Sequence, residues 1–401
     1  MTSQETVGVD TAMPPLPLLD GITVLDLSSV GPASRATRLL ADFGARVIKV
    51  GPVPSDGGVL LTPPFFAYSG HRSMERVAFD LKSEDGKEAL RSLVKTADVL
   101  VESFRPGVTE RLGLGYSALA EINPGLIYCS TSGFGQEGPL SQSAGHDIDY
   151  LALGGYLATS EPTSDGGPPL PGATIADAAG GGMHAALSIC AALVGRQSTQ
   201  RGCYLDVAIA DGVLWLMSLT LDEHLALGTR PGPGHDLLTG GFACYATYQT
   251  SDARWLAVGA IEAKFFATLC HALGLDEFAA FQMDPSRQAE IRHAFVDAFA
   301  QATMNEWLER LDGLDTCVAP VLTVAEIPQT SHVKARGLVV EAHHPTQGTF
   351  RQLAPVLAGM IRSTEVINVP DMTETQTAAI LDEAGVDADV IARWRTQGVI
   401  A

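Results

Sequence analysis

The chain of 401 residues reads as an α/β protein: a large Rossmann-like domain built on a parallel sheet, joined to a smaller α+β domain. Three observations predict this. Short, uninterrupted apolar runs alternate with helical stretches through the first half, as strands buried on both faces of a parallel sheet do. The texture changes after Pro231-Gly-Pro-Gly, where hairpin signals and helices take over. The length, at roughly 150 residues per domain, suits two or three domains with sizeable cores.

Taken in order, Ile22-Thr-Val-Leu-Asp-Leu is a strand, 33–43 a helix closed by Gly44, and Val47-Ile-Lys-Val a second strand, which completes a βαβ unit. Ser83 caps a helix over 84–97 with Glu84 and Asp85 in its first turn, and Val99-Leu-Val and Leu126-Ile-Tyr-Cys-Ser continue the sheet. Residues 160–172, with four prolines and three glycines, form a loop. A helix over 178–197, a strand at 204–209 and a helix over 211–227 complete the first block. Residues 245–249 and 255–260 pair as a hairpin about Thr250-Ser-Asp-Ala, with helices near 263–273, 287–302 and 304–313 behind them. A strand at 338–341 and two helices split at Gly385 return to the first domain, and residues 1–18, with Pro14, Pro15 and Pro17, form a loose arm. The expected division is 1–228 for the first part of the large domain, 229–241 for a linker, 242–336 for the small domain and 337–401 for the return.

With 26 Lys and Arg against 46 Asp and Glu, the net charge of −20 repels nucleic acid and anionic membrane surfaces. Twelve of the 26 cations nevertheless lie between Arg35 and Arg111, and none between 112 and 195. An anionic ligand is therefore expected to meet the first quarter of the chain. The six cysteines stand at least 13 residues apart, which leaves neither a CxxC pair nor a zinc cluster; reduced, mostly buried thiols are expected. The apolar stretch 178–195 holds Gly180-Gly-Gly, His184 and Ser188, which suits a buried helix better than a membrane span. No cation precedes Arg35, and the closing Gly-Val-Ile-Ala is no peroxisomal motif, so a cytoplasmic location is expected.

Among motifs, there is no GxxxxGK[ST] phosphate loop and no GxSxG elbow. Gly113-Leu-Gly-Tyr-Ser-Ala118 fits a loose GxGxxA, but it follows a helix instead of closing a strand. Gly180-Gly-Gly either offers N–H groups to an anion or marks a close helix contact. The better signal is a set of acids and one histidine in the cation-free region: His146-Asp147 and, 31 residues beyond His146, Asp177 at the start of a Gly-rich helix. An imidazole and a carboxylate facing each other across a carbon acid can take a proton from one face and return one to the other. By residue type alone such a His-Asp pair is more often a turn or a cap. Glu262 is either a first-turn carboxylate meeting the helix dipole or an acid that orients His146.

These residues stand together with Leu19-Asp-Gly-Ile-Thr-Val-Leu-Asp-Leu, Leu39-Leu-Ala-Asp-Phe-Gly-Ala, Val101-Glu-Ser-Phe-Arg-Pro-Gly-Val and the closing Ala388-Asp-Val-Ile-Ala-Arg-Trp-Arg. The combination resembles the class III coenzyme A transferase superfamily (CaiB/BaiF-like) over nearly the whole chain, and within it the α-methylacyl-CoA racemase branch. In the transferases, an Asp at the position of Asp147 attacks the acyl-CoA thioester, shielded by a run of glycines. The corresponding stretch here, Leu238-Thr-Gly-Gly-Phe-Ala, lacks that run. The racemase branch carries His before that Asp, a second Asp opening a Gly-rich helix, and Gly-Ala-Ile-Glu in the small domain. His146, Asp177 and Gly259-Ala-Ile-Glu262 match all three.

The resemblance thus implies a two-base 1,1-proton transfer on a 2-methylacyl-CoA thioester, with His146 and Asp177 on opposite faces, Glu262 supporting His146, and Asp147 binding or polarising the substrate. Coenzyme A enters as part of the substrate, and neither a metal nor a redox cofactor is implied. Arg105 of Phe-Arg-Pro-Gly is implied at the diphosphate, and Arg72 in a basic cluster, with Arg38 and Lys49 as further CoA contacts. One departure stands out: after Ile48-Lys-Val the family has an acidic and a basic residue, and this chain has Gly51-Pro52. The adenine end of the pocket is expected to differ accordingly. The resemblance also implies an interlocked homodimer with a shared active site, Glu262 coming from the second copy. A CoA-transferase acting through Asp147 and a silent acyl-CoA-binding protein are the competing expectations.

Overall fold

Six strands, β1 (Thr23–Asp26), β2 (Arg46–Gly51), β3 (Met74–Ala78), β4 (Val99–Glu102), β5 (Ile127–Ser132) and β6 (Tyr204–Ala208), form one sheet of order β3-β2-β1-β4-β5-β6 in the computed structural model. The structure describes residues 17–54, 63–362 and 365–401; all but the last two residues of the expected arm lie outside them. Every neighbouring pair of strands is parallel. This is the doubly wound order, in which the reversal between β1 and β4 opens a crevice at the carboxyl ends of the strands.

Side chains alternate across the sheet and both faces are covered, which is why the strands read as apolar runs. Leu25, Ile48, Leu100 and Tyr128 meet Leu90 and Leu93 of the Glu84–Val94 helix and Leu381 and Trp394 of the Thr377–Glu383 and Ala388–Thr396 helices. Val24, Val47, Val99, Ile127 and Cys129 face the other way, onto Ala36 and Leu40 of the Pro32–Asp42 helix and Ala185 and Ile189 of the His184–Thr199 helix. Ser83 caps its helix as expected, its hydroxyl accepting the Gly86 N–H at 3.0 Å. Strand β3 escapes sequence reading because Glu75 and Arg76 interrupt its apolar run. It is an edge strand, where charged residues block further pairing, and Glu75 pairs with Arg46 at 2.6 Å.

The helix expected over 178–197 begins earlier and in an unusual form. Ala176–Met183 is a π-helix that feeds directly into the His184–Thr199 helix. Its three glycines are a close helix contact: a Cβ on Gly181 would stand 2.5 Å from Pro32 Cβ, and one on Gly182 would stand 2.9 Å from Arg35 Cβ. Together these segments make the one described helix long and apolar enough to cross a membrane, yet Ala185, Ile189 and Leu193 lie in the core beneath the sheet. Gly113 and Gly115 end one helix and begin the next, Val108–Leu112 and Tyr116–Ile122, so the loose GxGxxA is a turn between helices.

The described residues divide into two compact units. The first takes in the six-stranded sheet and, from Ser331–Ala401, a small sheet in which β10 (Val339–His344) lies between antiparallel β11 (Gly348–Leu353) and parallel β12 (Ile367–Asn368). The second comprises Leu151–Ala173 and Leu216–Thr330. In it an antiparallel sheet of β7 (Tyr245–Gln249), β8 (Trp255–Gly259) and β9 (Val318–Pro320) accompanies a core of Tyr248, Phe266, Phe295, Phe299 and Trp307. These limits differ from the expected ones. The helix expected over 211–227 is two, Ile209–Leu216 and Ser218–Leu227, broken at Met217 (φ −89°, ψ 6°), and the units change over at this break. The stretch 229–241 therefore belongs to the second unit instead of linking two domains.

The tightest packing against the π-helix is backbone on backbone. A Cβ on Gly212 would stand 2.0 Å from the Gly180 carbonyl oxygen. Gly212→Ala is accordingly expected to destabilise the first unit by about 1–3 kcal/mol through overpacking, read as a lower denaturation midpoint at unchanged slope.

Candidate active site

The loop after β5 ends at His146, and the short helix Asp147–Leu153 follows. Tyr150 donates its hydroxyl to the Gly145 carbonyl at 2.8 Å, and the His146 N–H donates to Asp149 Oδ2 at 2.9 Å. These two bonds fold the turn tightly, with the His146 imidazole exposed. The Asp177 backbone N–H donates to Asp147 Oδ1 at 2.8 Å, which brings segments 30 residues apart into contact. His146, Asp147 and Asp177, singled out in the sequence, thus lie together. Asp177 is half-buried, and its own carboxylate accepts no hydrogen bond among the described residues.

Burial pushes the Asp177 carboxyl up from the usual range, and the neighbouring Asp147 adds to this; Arg35 and His146 oppose it. Arg35 reaches this segment from the Pro32–Asp42 helix. Its Nη2 donates to Thr174 Oγ1 at 2.6 Å, and its guanidinium lies 5.1 Å from the Tyr68 ring centre. The Tyr68 hydroxyl in turn accepts the Gly31 N–H at 3.0 Å. Tyr68, Ser69, Gly70 and His71 have φ of 49°, 62°, 69° and 47°, a complete left-handed turn. Only one of the four is glycine, and each residue with a Cβ costs of order 1 kcal/mol there.

A cavity of about 950 Å³ opens at the carboxyl ends of β1 to β4, lined by Lys49, Gly51, His71, Arg76, Lys82 and Phe104 among others. It is separate from the acids, since none of its lining residues falls between 145 and 183. Burial, with help from Lys49 and Arg38, pushes His71 down to about 4, so this wall of the cavity is neutral at pH 7.

The four cations expected at an anionic ligand have different surroundings. Arg105 is exposed in the loop after β4 with no carboxylate partner among the described residues. Lys49 lines the cavity but holds Asp26 at 2.7 Å. Arg38 and Arg72 are buried on either side of Asp42, each at 2.8 Å, and Arg38 also donates to the Arg72 carbonyl. Burial brings Arg38 down to about 10 against the pull of Asp42. Both arginines are buried, where the Asp42 carboxylate pairs with them.

Glu262 is exposed and precedes the Ala263–Leu273 helix, where its side chain makes no capping hydrogen bond. It belongs to the second unit. Two residues that sequence reasoning passed over bear on the site. Arg35 carried no signal beyond its place in the cation-rich quarter. Glu102 stands in the Val-Glu-Ser-Phe-Arg-Pro-Gly stretch, where only Arg105 drew notice. Its Oε2 accepts the Phe104 N–H at 2.7 Å and its Oε1 the Ser130 hydroxyl, which anchors the base of the loop that carries Arg105. Burial raises its carboxyl to about 7.

A doubly wound sheet with cations lining the crevice at its strand ends suits an anionic ligand. Residues 19–370 match CoA-transferase family III. The chain belongs to CoA-transferase family III. It is 38% identical to the α-methylacyl-CoA racemase of Homo sapiens over 385 residues, 95% of this chain and 97% of that protein. It is 29% identical to the succinyl-CoA:glutarate CoA-transferase of Homo sapiens, covering 91% of this chain and 85% of that protein. A solved structure of a CaiB/BaiF family protein from Brucella suis superposes with a TM-score of 0.75 at 29% identity, covering 91% of this chain and 99% of that one.

Because the Arg35 guanidinium works against the upward push on Asp177, Arg35→Met is expected to raise the Asp177 pKa further. A carboxyl ¹³C titration reads the shift; an unchanged midpoint would rule the guanidinium out as a control on this acid.

Proposed function

We propose that this member of the family is a 2-methylacyl-CoA racemase, inverting C2 of branched acyl thioesters by two-base 1,1-proton transfer. The observation that carries the reading is the 2.8 Å bond from the Asp177 N–H to Asp147, which sets a second acid beside the His146-Asp147 pair. Two α-methylacyl-CoA racemases, from Homo sapiens and Mus musculus, are 38% and 40% identical to the chain, which supports the same reading.

The α-proton of a thioester is weakly acidic, so it is removed only while the charge developing on the thioester oxygen is stabilised. In one direction neutral His146 takes the proton from C2 and the carboxylic acid of Asp177 delivers one to the opposite face. The reverse direction starts from the imidazolium and the Asp177 carboxylate. Each base must hold the proton in turn, and the upward push on Asp177 helps its carboxyl to do so. The N–H groups of Asp147 and Ile148, in the first turn of their helix and without intrahelical acceptors, are the donors to the enolate oxygen. Asp147 then serves in binding, and the CoA moiety runs toward Arg105 and the crevice at the strand ends.

The experiment is α-hydrogen exchange with a (2R)-2-methylacyl-CoA in deuterated water. Deuterium at C2 with epimerisation is expected, and no CoA transfer to an added carboxylic acid. His146→Ala and Asp177→Ala are each expected to lower racemisation by at least about 100-fold, while each keeps exchange from only one enantiomer. Because Asp177 works as a base only when ionised, that half-reaction is expected to fall as the pH drops through its raised pKa. CoA transfer without deuterium uptake, abolished by Asp147→Ala, would move the chemistry to Asp147 and a transferase.

We also propose a homodimer in which Glu262 of a second copy orients His146. The Ser218–Leu227 helix buries none of its residues, and Leu219, Leu225 and Leu227 are 68%, 71% and 74% exposed. Trp215 and Leu187 are exposed to a similar degree. Apolar surface of this kind marks a protein interface. Leu219→Asp with Leu225→Asp is expected to give monomers in light scattering and to remove activity; fully active monomers would overturn the shared site.

A further inference from the structure

The departure of this chain from the family pattern at Gly51-Pro52 has a structural counterpart on the neighbouring strand. The Arg76 guanidinium from β3 lies across Gly51 of β2, so close that a Cβ at position 51 would stand 2.9 Å from Nη2 and 3.3 Å from Nε. Glycine at 51 is what makes the space. The side chain is half-buried, and burial lowers its pKa with no acidic neighbour in opposition. Arg38, Arg46, Arg72 and Arg196 in the same unit all hold carboxylates. Arg76 holds none among the described residues.

A half-buried guanidinium without a counter-ion is costly unless a ligand supplies one. Arg76 lines the 950 Å³ cavity and also a second cavity of about 630 Å³ beside it, so it stands where the two meet. In the first, Lys82 is exposed and shares the wall, Lys49 is already committed to Asp26, and His71 is neutral. In the second, the Asp371 carboxylate is taken by the Thr373 N–H and hydroxyl at 2.9 and 2.7 Å, and His344 accepts from Thr346. Asp80, also in the first cavity's wall, accepts the Lys82 N–H at 3.1 Å and does not pair with Arg76. Of the described residues that line both cavities, Arg76 alone is charged.

We propose that Arg76, seated over Gly51, binds the ribose 3′-phosphate of coenzyme A. This rests on the CoA-thioester reading above. Strand order assigns that end of the ligand: His146, Asp147 and Asp177 lie in the chain between β5 and β6, Arg105 follows β4, and β3 is the outermost strand on the far side. A CoA thioester with its acyl carbon at the acids and its diphosphate at the Arg105 loop brings its nucleoside to the ends of β2 and β3. The planar fork of a guanidinium matches two oxygens of a phosphomonoester dianion, which Lys82 also attracts.

The test is calorimetric binding of CoA and of 3′-dephospho-CoA to the full chain and to Arg76→Ala, Arg76→Lys and Gly51→Val. Wild type is expected to prefer CoA by about ten-fold, the range of charge-assisted hydrogen bonds. Arg76→Ala is expected to erase the preference by weakening CoA alone, and Arg76→Lys to keep part of it. Gly51→Val is expected to act like Arg76→Ala, since it displaces the guanidinium without removing its charge. Equal weakening of both ligands, or a preference that survives Arg76→Ala, would overturn the assignment. A wild type that binds neither ligand would overturn the CoA reading itself and this subsite with it.

Discussion

The Asp26 carboxylate ends β1 where the strand order reverses, and none of its surface reaches solvent. A carboxylate so placed is tolerated only when both oxygens are satisfied. Oδ1 accepts the Ser28 N–H at 2.8 Å and the Ser28 hydroxyl at 2.5 Å; Oδ2 accepts the Thr37 hydroxyl at 2.5 Å and Lys49 Nζ at 2.7 Å. One buried charge thereby ties β1, the Pro32–Asp42 helix and β2 into a single frame. Breaking such a pair on one side costs about 3–5 kcal/mol, because the other charge stays buried and alone. Asp42 repeats the device at the far end of the helix with Arg38 and Arg72, and Arg72 extends it by donating to the Leu353 carbonyl at 2.6 Å. The helix that carries Arg35 is therefore fixed at its middle, through Thr37, and at its C-terminal end, through Asp42, by buried ions.

On that frame the acids acquire their character from geometry more than from residue type. The bond between Asp147 and Asp177 uses the backbone N–H of Asp177, so its side chain stays available to a ligand. The same bond keeps the two carboxyls near each other, and their repulsion, added to burial, holds the proton on Asp177 more firmly than on a free carboxyl. Burial, with the same acid cluster adding to it, raises Tyr150 to about 12, so its hydroxyl remains a donor at neutral pH.

Much of this was legible in the sequence, and the gaps have physical reasons. Strands β1, β2, β4 and β5 declare themselves because both faces are buried. β3 does not, because an edge strand can carry Glu75 and Arg76. β11 is hidden similarly by Thr349, Arg351 and Gln352. His146, Asp147 and Asp177 stood out against a stretch without cations, but the bond that joins them leaves no trace in spacing. The four-residue step from Arg38 to Asp42 is visible in the sequence as a helical pair, whereas Arg72 joins it from 30 residues beyond Asp42. The buried acid that holds Arg38 and Arg72 is not apparent from their place in the cation-rich quarter. The π-helix left no signal either, since its apolar and glycine residues satisfy an α-helical period equally well.

The contact between Gly181 and Pro32 has a consequence beyond this chain. Two segments some 150 residues apart in sequence share one volume, with Pro32 Cβ where a side chain at 181 would have to go. Residue 181 cannot grow alone: a lineage that enlarges it must first hollow out residue 32. Over many generations such a pair drifts together or stays frozen, so the seam between the glycine-rich helix and the Pro32–Asp42 helix would be inherited as one character, written in two distant places.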